Sequence, residues 1–404
     1  MPAADPDSEN MDRRSIWVLS AGHALVDVCQ GAVPALIPFM IARRGYSYSE
    51  ATALILVMTF SSSLLQPIFG LMTDRRSISW LLPSGILIGG LGIAAVGLAG
   101  TFPLTLLAVT LAGIGVAAYH PEGARNANFV AGSQRRATAM SFYAVGGNAG
   151  FALGPVVVTV LVLAFGLGGM VWFLVPMAAG ALLLSLELPR IDALRLRAIA
   201  ANDGGEKQRK MDRWLPFTGV AFIAGFRSAT YFGLQAFVPI YLITRMGTTD
   251  WVGNAALTVL LVAGAIGTLA GGRVADRIGT RPVLSVSLGV ATPLALALLV
   301  TSEAAAFPLL ALIGFFLVGT FSISVVLGQE FLPNRIGVAS GITLGAAIGF
   351  GGMIAWLLGL LADQTSLTTV MLVVALLPLP AFLISLLLPG ENARTPTAED
   401  PTPN

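Results

Sequence analysis

Apolar residues run in long blocks from about residue 15 to residue 388, broken only by short polar stretches. A helix of about 20 such residues crosses the hydrocarbon core of a bilayer. Twelve blocks of that kind can be marked. The first six fall near 15–42, 50–72, 79–99, 103–128, 137–166 and 168–188, and the second six near 214–244, 251–275, 282–301, 307–332, 336–362 and 367–388. The pattern predicts an all-α integral membrane fold of twelve spanning helices in two six-helix halves, 15–188 and 214–388. Residues 1–14 read as a polar tail, 189–213 as a linker and 389–404, rich in Pro and Thr, as a second tail. The first apolar block is far longer than the core of a cleavable signal peptide, so it reads as a retained helix.

Composition sharpens this picture. Of 404 residues, 55% are hydrophobic and 11% charged, against about 25% charged in an ordinary soluble domain. A bilayer is the solvent that suits such a chain. The formal net charge of +2 argues against a nucleic-acid partner. One cysteine, Cys29, excludes an intrachain disulfide and reads as a buried apolar residue.

The placement of the basic residues carries more than their number. With both termini on one side, eighteen of the 23 Lys and Arg share that side: Arg13, Arg14, Arg75, Arg76, Arg135, Arg136, seven in 190–213, Arg273, Arg277, Arg281, Arg335 and Arg394. Only Arg43, Arg44 and Arg245 fall opposite, while Arg125 and Arg227 lie within spans. The positive-inside rule then predicts cytoplasmic termini. Trp17, Trp80, Trp172, Trp214 and Trp251 stand near helix starts, as interfacial anchors do.

The chain also repeats. Gly70, Asp74 and Arg75 follow the second block; Gly272, Asp276, Arg277 and Arg281 follow the eighth. The two aspartates are 202 residues apart, half the chain, so the halves are parallel repeats. These Gly-x-x-x-Asp-Arg loops resemble the signature of the major facilitator superfamily, in which the loop gates the cytoplasmic side. The first copy departs from the pattern at Ser77-Ile78-Ser79. A narrower resemblance rests on His23-Ala-Leu-Val-Asp27, on Tyr119-His120-Pro121-Glu122-Gly-Ala-Arg125, on Gly146-Gly-Asn148-Ala-Gly150-Phe-Ala-Leu-Gly154-Pro155, on Arg227, and on Gln329-Glu330-Phe-Leu-Pro333. Together these look like the fosmidomycin-resistance family of efflux transporters. That resemblance implies proton-coupled export of small drugs, with phosphonates among the possible substrates, from a bacterial inner membrane by a monomer without cofactor.

Ionisable residues inside a span are costly unless paired or solvated, and mark function by default. Here they are His23, Asp27, His120, Glu122, Arg125, Arg227 and Glu330, confined to helices 1, 4, 7 and 10. His23 and Asp27 are four apart on one helix face, with Gln30 three further on. Arg227, Tyr231 and Gln235 form a second stripe, and a shift of 204 lays His23 on Arg227. Asp27 is read as the coupling proton site, the alternative being a fixed pair with Arg227 or His23; His23, His120 and Glu330 join it as proton candidates. Arg227 is read as the seat of an anionic group, since its fork suits phosphonate or carboxylate, the alternative being a structural pair with Asp27 or Glu330. Gln30, Tyr231, Gln235, Glu122 and Arg125 complete the substrate candidates, with an intrahelical pair the alternative for the last two. Gly146, Gly150, Gly154 and Pro155, and Gly337, Gly341, Gly345 and Gly349, are expected to give two faces for close helix packing. No metal-ligand spacing and no catalytic motif occurs, so a small-molecule transporter is expected, not an enzyme; the direction of transport stays open between exporter and importer or uniporter.

Overall fold

The computed structural model describes residues 11–75, 78–131, 136–200 and 211–389. Twelve long helices account for nearly all of them. In the first half they are α1 (Arg13–Arg44), α2 (Tyr48–Arg75), α3 (Leu81–Leu98), α4 (Phe102–Phe129), α5 (Arg136–Phe165) and α6 (Leu174–Ala200), the last entered through a 3₁₀ turn at Leu167–Phe173. In the second half are α7 (Trp214–Met246), α8 (Asp250–Ile278) and α9 (Thr280–Leu298). There follow α10, broken at Thr320 into Glu303–Gly319 and Phe321–Phe331, and α12, made of Leu367–Leu376 and Pro378–Leu387. Between them α11 is composite: Ile336–Ser340, a π-helical turn at Gly341–Ala346, then Ala347–Gln364. Eleven of the twelve are long and apolar enough to cross a membrane. The exception is α7, which carries the polar stripe of Arg227, Tyr231 and Gln235.

Local chemistry sets the ends. Asp12 caps α1 by accepting from the Ser15 N–H at 2.9 Å. The helix stops at Gly45, which takes φ 68°, the left-handed conformation that glycine adopts without cost. α7 stops in the same way at Gly247, φ 69°. The two caps are 202 residues apart, the same interval that separates the aspartates of the repeated loops. Structural register is therefore 202, not the 204 that lays His23 on Arg227; Arg227 corresponds to Leu25. A second pair of ties repeats as well. The Asp12 N–H donates to Val130 O at 2.9 Å and the Arg213 N–H to Phe331 O at 2.6 Å, fastening the entry of each half to the end of its fourth helix.

The expected linker shrinks. α6 continues through 189–200, and only 201–210 of the segment lie outside the described residues. Leu, Ala and Arg are good helix formers. Ile191 is fully buried, Arg190 reaches Asp12 and Glu187, and Arg195 bonds Asp192 and Ser79. Burial and capping partners hold these turns as helix where a polar stretch suggested coil. The tails 1–10 and 390–404 also lie outside the described residues. All five tryptophans read as anchors are well exposed.

The glycines divide by half. A Cβ on Gly146, Gly150 or Gly154 would strike the backbone of Ser20, Ala24 or Gly31 respectively, so this glycine face of α5 packs closely and its partner is α1. The α11 series departs from expectation. Among described residues no heavy atom lies within 4 Å of a Cβ at Gly337 or Gly341, and Gly345 and Gly349 come only to 4.0 Å from Ser63 and 3.9 Å from Phe60. Close packing on α11 belongs instead to Gly351, Gly352 and Gly359, which meet Ser228, Thr59 and Thr52. The reason is the disposition of the halves. They touch on the face away from the arginine clusters: Asp363 accepts from the Tyr48 and Ser49 N–H groups at 2.8 and 3.0 Å. Buried Asn254 donates to Thr159 Oγ at 2.8 Å and Ala35 O at 3.2 Å on the same face. Toward the arginine-rich face the contacts between α2 and α11 thin out, and Leu64, Ile68 and Leu71 of α2 are exposed.

Candidate functional site

α1 places His23, Asp27 and Gln30 on one side, and α4 brings His120 to meet them just before Pro121. The Asp27 carboxylate is the hub. Its Oδ2 lies 3.3 Å from His23 Nε2; its Oδ1 lies 3.2 Å from His120 Nε2 and accepts from Gln30 Nε2 at 2.8 Å. Both imidazoles are anchored at their other nitrogen. His23 Nδ1 is 2.8 Å from Tyr143 O, and His120 Nδ1 is 2.8 Å from Val116 O. The His23 ring stacks on Tyr143 with centroids 4.1 Å apart, and His120 meets it edge-on at 5.1 Å. Asp27 and His23 are each 8% exposed. Of the four proton candidates, three gather here. Glu330 is exposed near the end of α10 and is not a partner of Asp27.

Three residues to which the sequence reading gave no role build this site. Tyr143 supplies a backbone carbonyl, which no side-chain pattern announces. Tyr119 is fully buried and donates its hydroxyl to Leu19 O at 2.7 Å, pinning α4 to α1. Gly147 faces the cluster directly: a Cβ there would lie 2.6 Å from Asp27 Oδ2 and closer still to the His23 ring. The i, i+4 spacing of Tyr143 and Gly147 on one face of α5 was the available signal.

The second centre is on α7. Arg227 is 2% exposed, with its guanidinium 4.5 Å from the Phe321 ring centre. Its remaining polar contact is a long 3.5 Å approach to Ser228 Oγ, and its Nε has no partner. Among the described residues no carboxylate pairs with it, so neither Asp27 nor Glu330 is its counter-ion. Two turns further, buried Gln235 leaves both amide atoms without partners. Tyr231 lies between these two and tilts against Phe151 of α5 at 6.3 Å. That contact brings the α7 stripe beside the helix that backs Asp27.

The other candidates stand elsewhere. Glu122 is fully buried and 3.9 Å from Arg125, which donates to Thr73 O at the end of α2; Asn126 donates to Glu122 at 3.0 Å. This group fastens α4 to α2. In the first repeated loop, a Cβ added at Gly70 would lie 3.8 Å from Pro121, and the side chains of Asp74 and Arg75 lie outside the described residues. In the second, Gly272 has open space, Asp276 and Arg277 are exposed, and Arg281 donates to Leu386 O.

Two repeated six-helix bundles that meet across α1, α2, α5, α8 and α11, with buried charge on α1, α4 and α7, make up the architecture of a membrane transporter. The sequence profile of the Major Facilitator Superfamily matches residues 19–355, and the chain belongs to that superfamily. It is 33% identical over 381 residues to an uncharacterized MFS-type transporter, YfnC, of Bacillus subtilis (strain 168), covering 93% of this chain and 92% of the other. It is also 33% identical over 370 residues to the fosmidomycin resistance protein of Escherichia coli (strain K12), covering 90% of each. Among solved structures, a bacterial homologue of the human lysosomal transporter Spinster, in an inward-facing and occupied conformation, superposes with a TM-score of 0.77 at 15% identity, over 96% of this chain and 97% of that one. The nucleoside transporter NupG does so at 0.71 and 15%, over 93% and 99%.

Proposed function

We propose that the protein is a proton-coupled exporter of a small anionic compound of the phosphonate or carboxylate type, working by alternating access in a bacterial inner membrane. The observation that carries this reading is Arg227: a buried guanidinium with no carboxylate partner among the described residues. Burying a charge is costly unless something pairs with it, and an anionic cargo is the counter-ion that the site lacks. The planar fork accepts phosphonate or carboxylate oxygens in pairs, and the Phe321 face steadies it while empty. Tyr231 and Gln235 offer further hydrogen bonds along the same stripe, and Gln30 is the matching donor on α1. The relationship to a fosmidomycin resistance protein supports export and drug-type cargo.

Asp27 is the coupling group in this reading, since its charge is met by protons on two imidazoles and not by a permanent cation. The arginine-rich face is cytoplasmic by the positive-inside rule, and the sparse α2–α11 contact on that side supports an inward-open state. The Gly-x-x-x-Asp-Arg loops then close that face when the protein opens outward. Glu330, near the cytoplasmic end of α10, is a secondary proton-release candidate.

The test is internal pH in proteoliposomes during addition of phosphonates, organic anions and cationic drugs in turn. An anion-specific proton flux that Asp27→Asn removes is the expected result. Radiolabelled anion exchange without any proton flux would replace the reading by a uniporter or exchanger, and proton flux driven only by cations would remove Arg227 from the cargo site.

A further inference from the structure

The chain has two histidines, and both point Nε2 at the same carboxylate. We propose that Asp27, His23 and His120 form a two-proton store of net charge +1 when full, in which His23 is the fixed member and His120 the port to solvent. The proposal rests on the proton-coupled reading above.

The proton count follows from hydrogen-bond chemistry. A carbonyl oxygen only accepts, so the 2.8 Å contacts to Tyr143 O and Val116 O require a proton on each Nδ1. A neutral imidazole carries one proton, and here that proton is committed to the backbone. Each Nε2 would then turn a bare lone pair toward a carboxylate oxygen. Contacts of 3.3 and 3.2 Å become attractive when each ring carries a second proton on that nitrogen. Turning either ring over would set ring carbons against both oxygens and lose both contacts. Gln30 already donates to Oδ1, so Asp27 serves as acceptor on every side. Two filled gaps, one carboxylate and two imidazole rings sum to +1; removing one proton leaves zero and removing both leaves −1.

The split of roles follows from surroundings. The His23 side chain is 10% exposed and held between the Tyr143 ring and Gly147. The His120 side chain is 21% exposed and sits one residue before Pro121, whose missing N–H loosens the helix there. The other titratable groups facing the cluster are Cys29 from α1, Tyr119 from α4, Tyr143 from α5 and Tyr231 from α7. Among described residues, Asp27 has no partner besides the two histidines and Gln30, so no fixed cation competes with the protons.

Nitrogen-15 solid-state NMR of histidine-labelled protein in lipid reads this directly, because only two imidazoles contribute. At low pH both rings should be doubly protonated. Raising the pH should release two protons per chain and leave both rings protonated at Nδ1 alone. The His120 line should broaden by water exchange before that of His23. The line showing a short distance to the Tyr143 carbonyl carbon is assigned to His23, so no variant has to fold. A ring found protonated at Nε2 alone, or a release of one proton, overturns the store. His23 exchanging first overturns the port. Transport is not measured, so failure here leaves the flux experiment above to judge the functional reading separately.

Discussion

Asp363 joins the two halves at the closed face, and its removal should change how often that face opens. Its carboxylate accepts from the first two N–H groups of α2 at 2.8 and 3.0 Å, although it belongs to the end of α11 in the other half. It acts as an N-terminal cap supplied from a different bundle. Losing a capping side chain costs about 1 kcal/mol, within a range of roughly 0.5–2. Removing a negative charge from a helix N-terminus costs about 0.3–1 kcal/mol more at an exposed site. The sum, about 1–2 kcal/mol, belongs only to conformations in which this face is closed. Asp363→Ala should therefore move the equilibrium toward the opposite state by roughly 5- to 30-fold. Asp363→Asn retains an oxygen acceptor without the charge and should fall between. Pulsed electron–electron resonance would read the ratio, with nitroxides at Leu196 and Arg277, both exposed toward the arginine-rich face, in a Cys29→Ala background. The shorter of the two distances should gain population in the Ala variant. Distance distributions identical to those of the parent would refute the argument and make Asp363 an incidental contact.

Arg227→Ala should weaken binding of anionic cargo by about 30-fold or more, the effect of truncating one member of a buried charge pair, and should leave neutral ligands unchanged; titration calorimetry in detergent with matched anionic and neutral compounds decides it. Asp27→Asn should abolish uphill transport while cargo binding persists, and proton-driven accumulation by that variant would pass the coupling role to Glu330. Gly150→Ala drives a Cβ into the Ala24 backbone and should destabilise the protein by about 1–3 kcal/mol, visible as a lower thermal midpoint. Gly341→Ala meets open space, so its midpoint should change by less than the equivalent of about 0.5 kcal/mol, while its turnover falls because the same surface has to pack when the arginine-rich face closes; unchanged turnover would show that this part of α11 never closes on α2.

Helix number, the two-half repeat and the glycine packing face of α5 were legible in the sequence because each follows from one chain's own periodicity; that α1 is what packs there was not. The His23–Asp27 pair was legible for the same reason, being four residues apart on one helix. Its extension to His120 was not, since α1 and α4 meet only in the fold. The anchors of both imidazoles are backbone carbonyls, which leave no mark in side-chain identity. Arg227 showed the opposite difficulty. Its burial could be foreseen, but its lack of a counter-ion could not, because spacing lists possible partners without saying which are absent. The α11 glycines misled because spacing marks a small-residue face without saying what covers it, and here Gly337 and Gly341 meet open space. In 189–200, charge suggested coil, and the partners that hold it, Asp12 before α1 and Ser79 before α3, lie more than 100 residues earlier.

The π-helical turn at Gly341–Ala346 bears on how the arginine-rich face can close. A π turn holds one residue more than the α-helical backbone on either side requires. Passing that surplus residue along the helix would exchange a few backbone hydrogen bonds and rotate the short Ile336–Ser340 segment by close to 100°, with the rest of α11 left in place. The outer portion, pinned by Asp363, could then stay seated on α2 while the inner portion turns its glycines toward it. α11 would thereby behave as a ratchet with one tooth, and the thermodynamic barrier between the two settings would be set within the backbone of one helix, independent of the cargo.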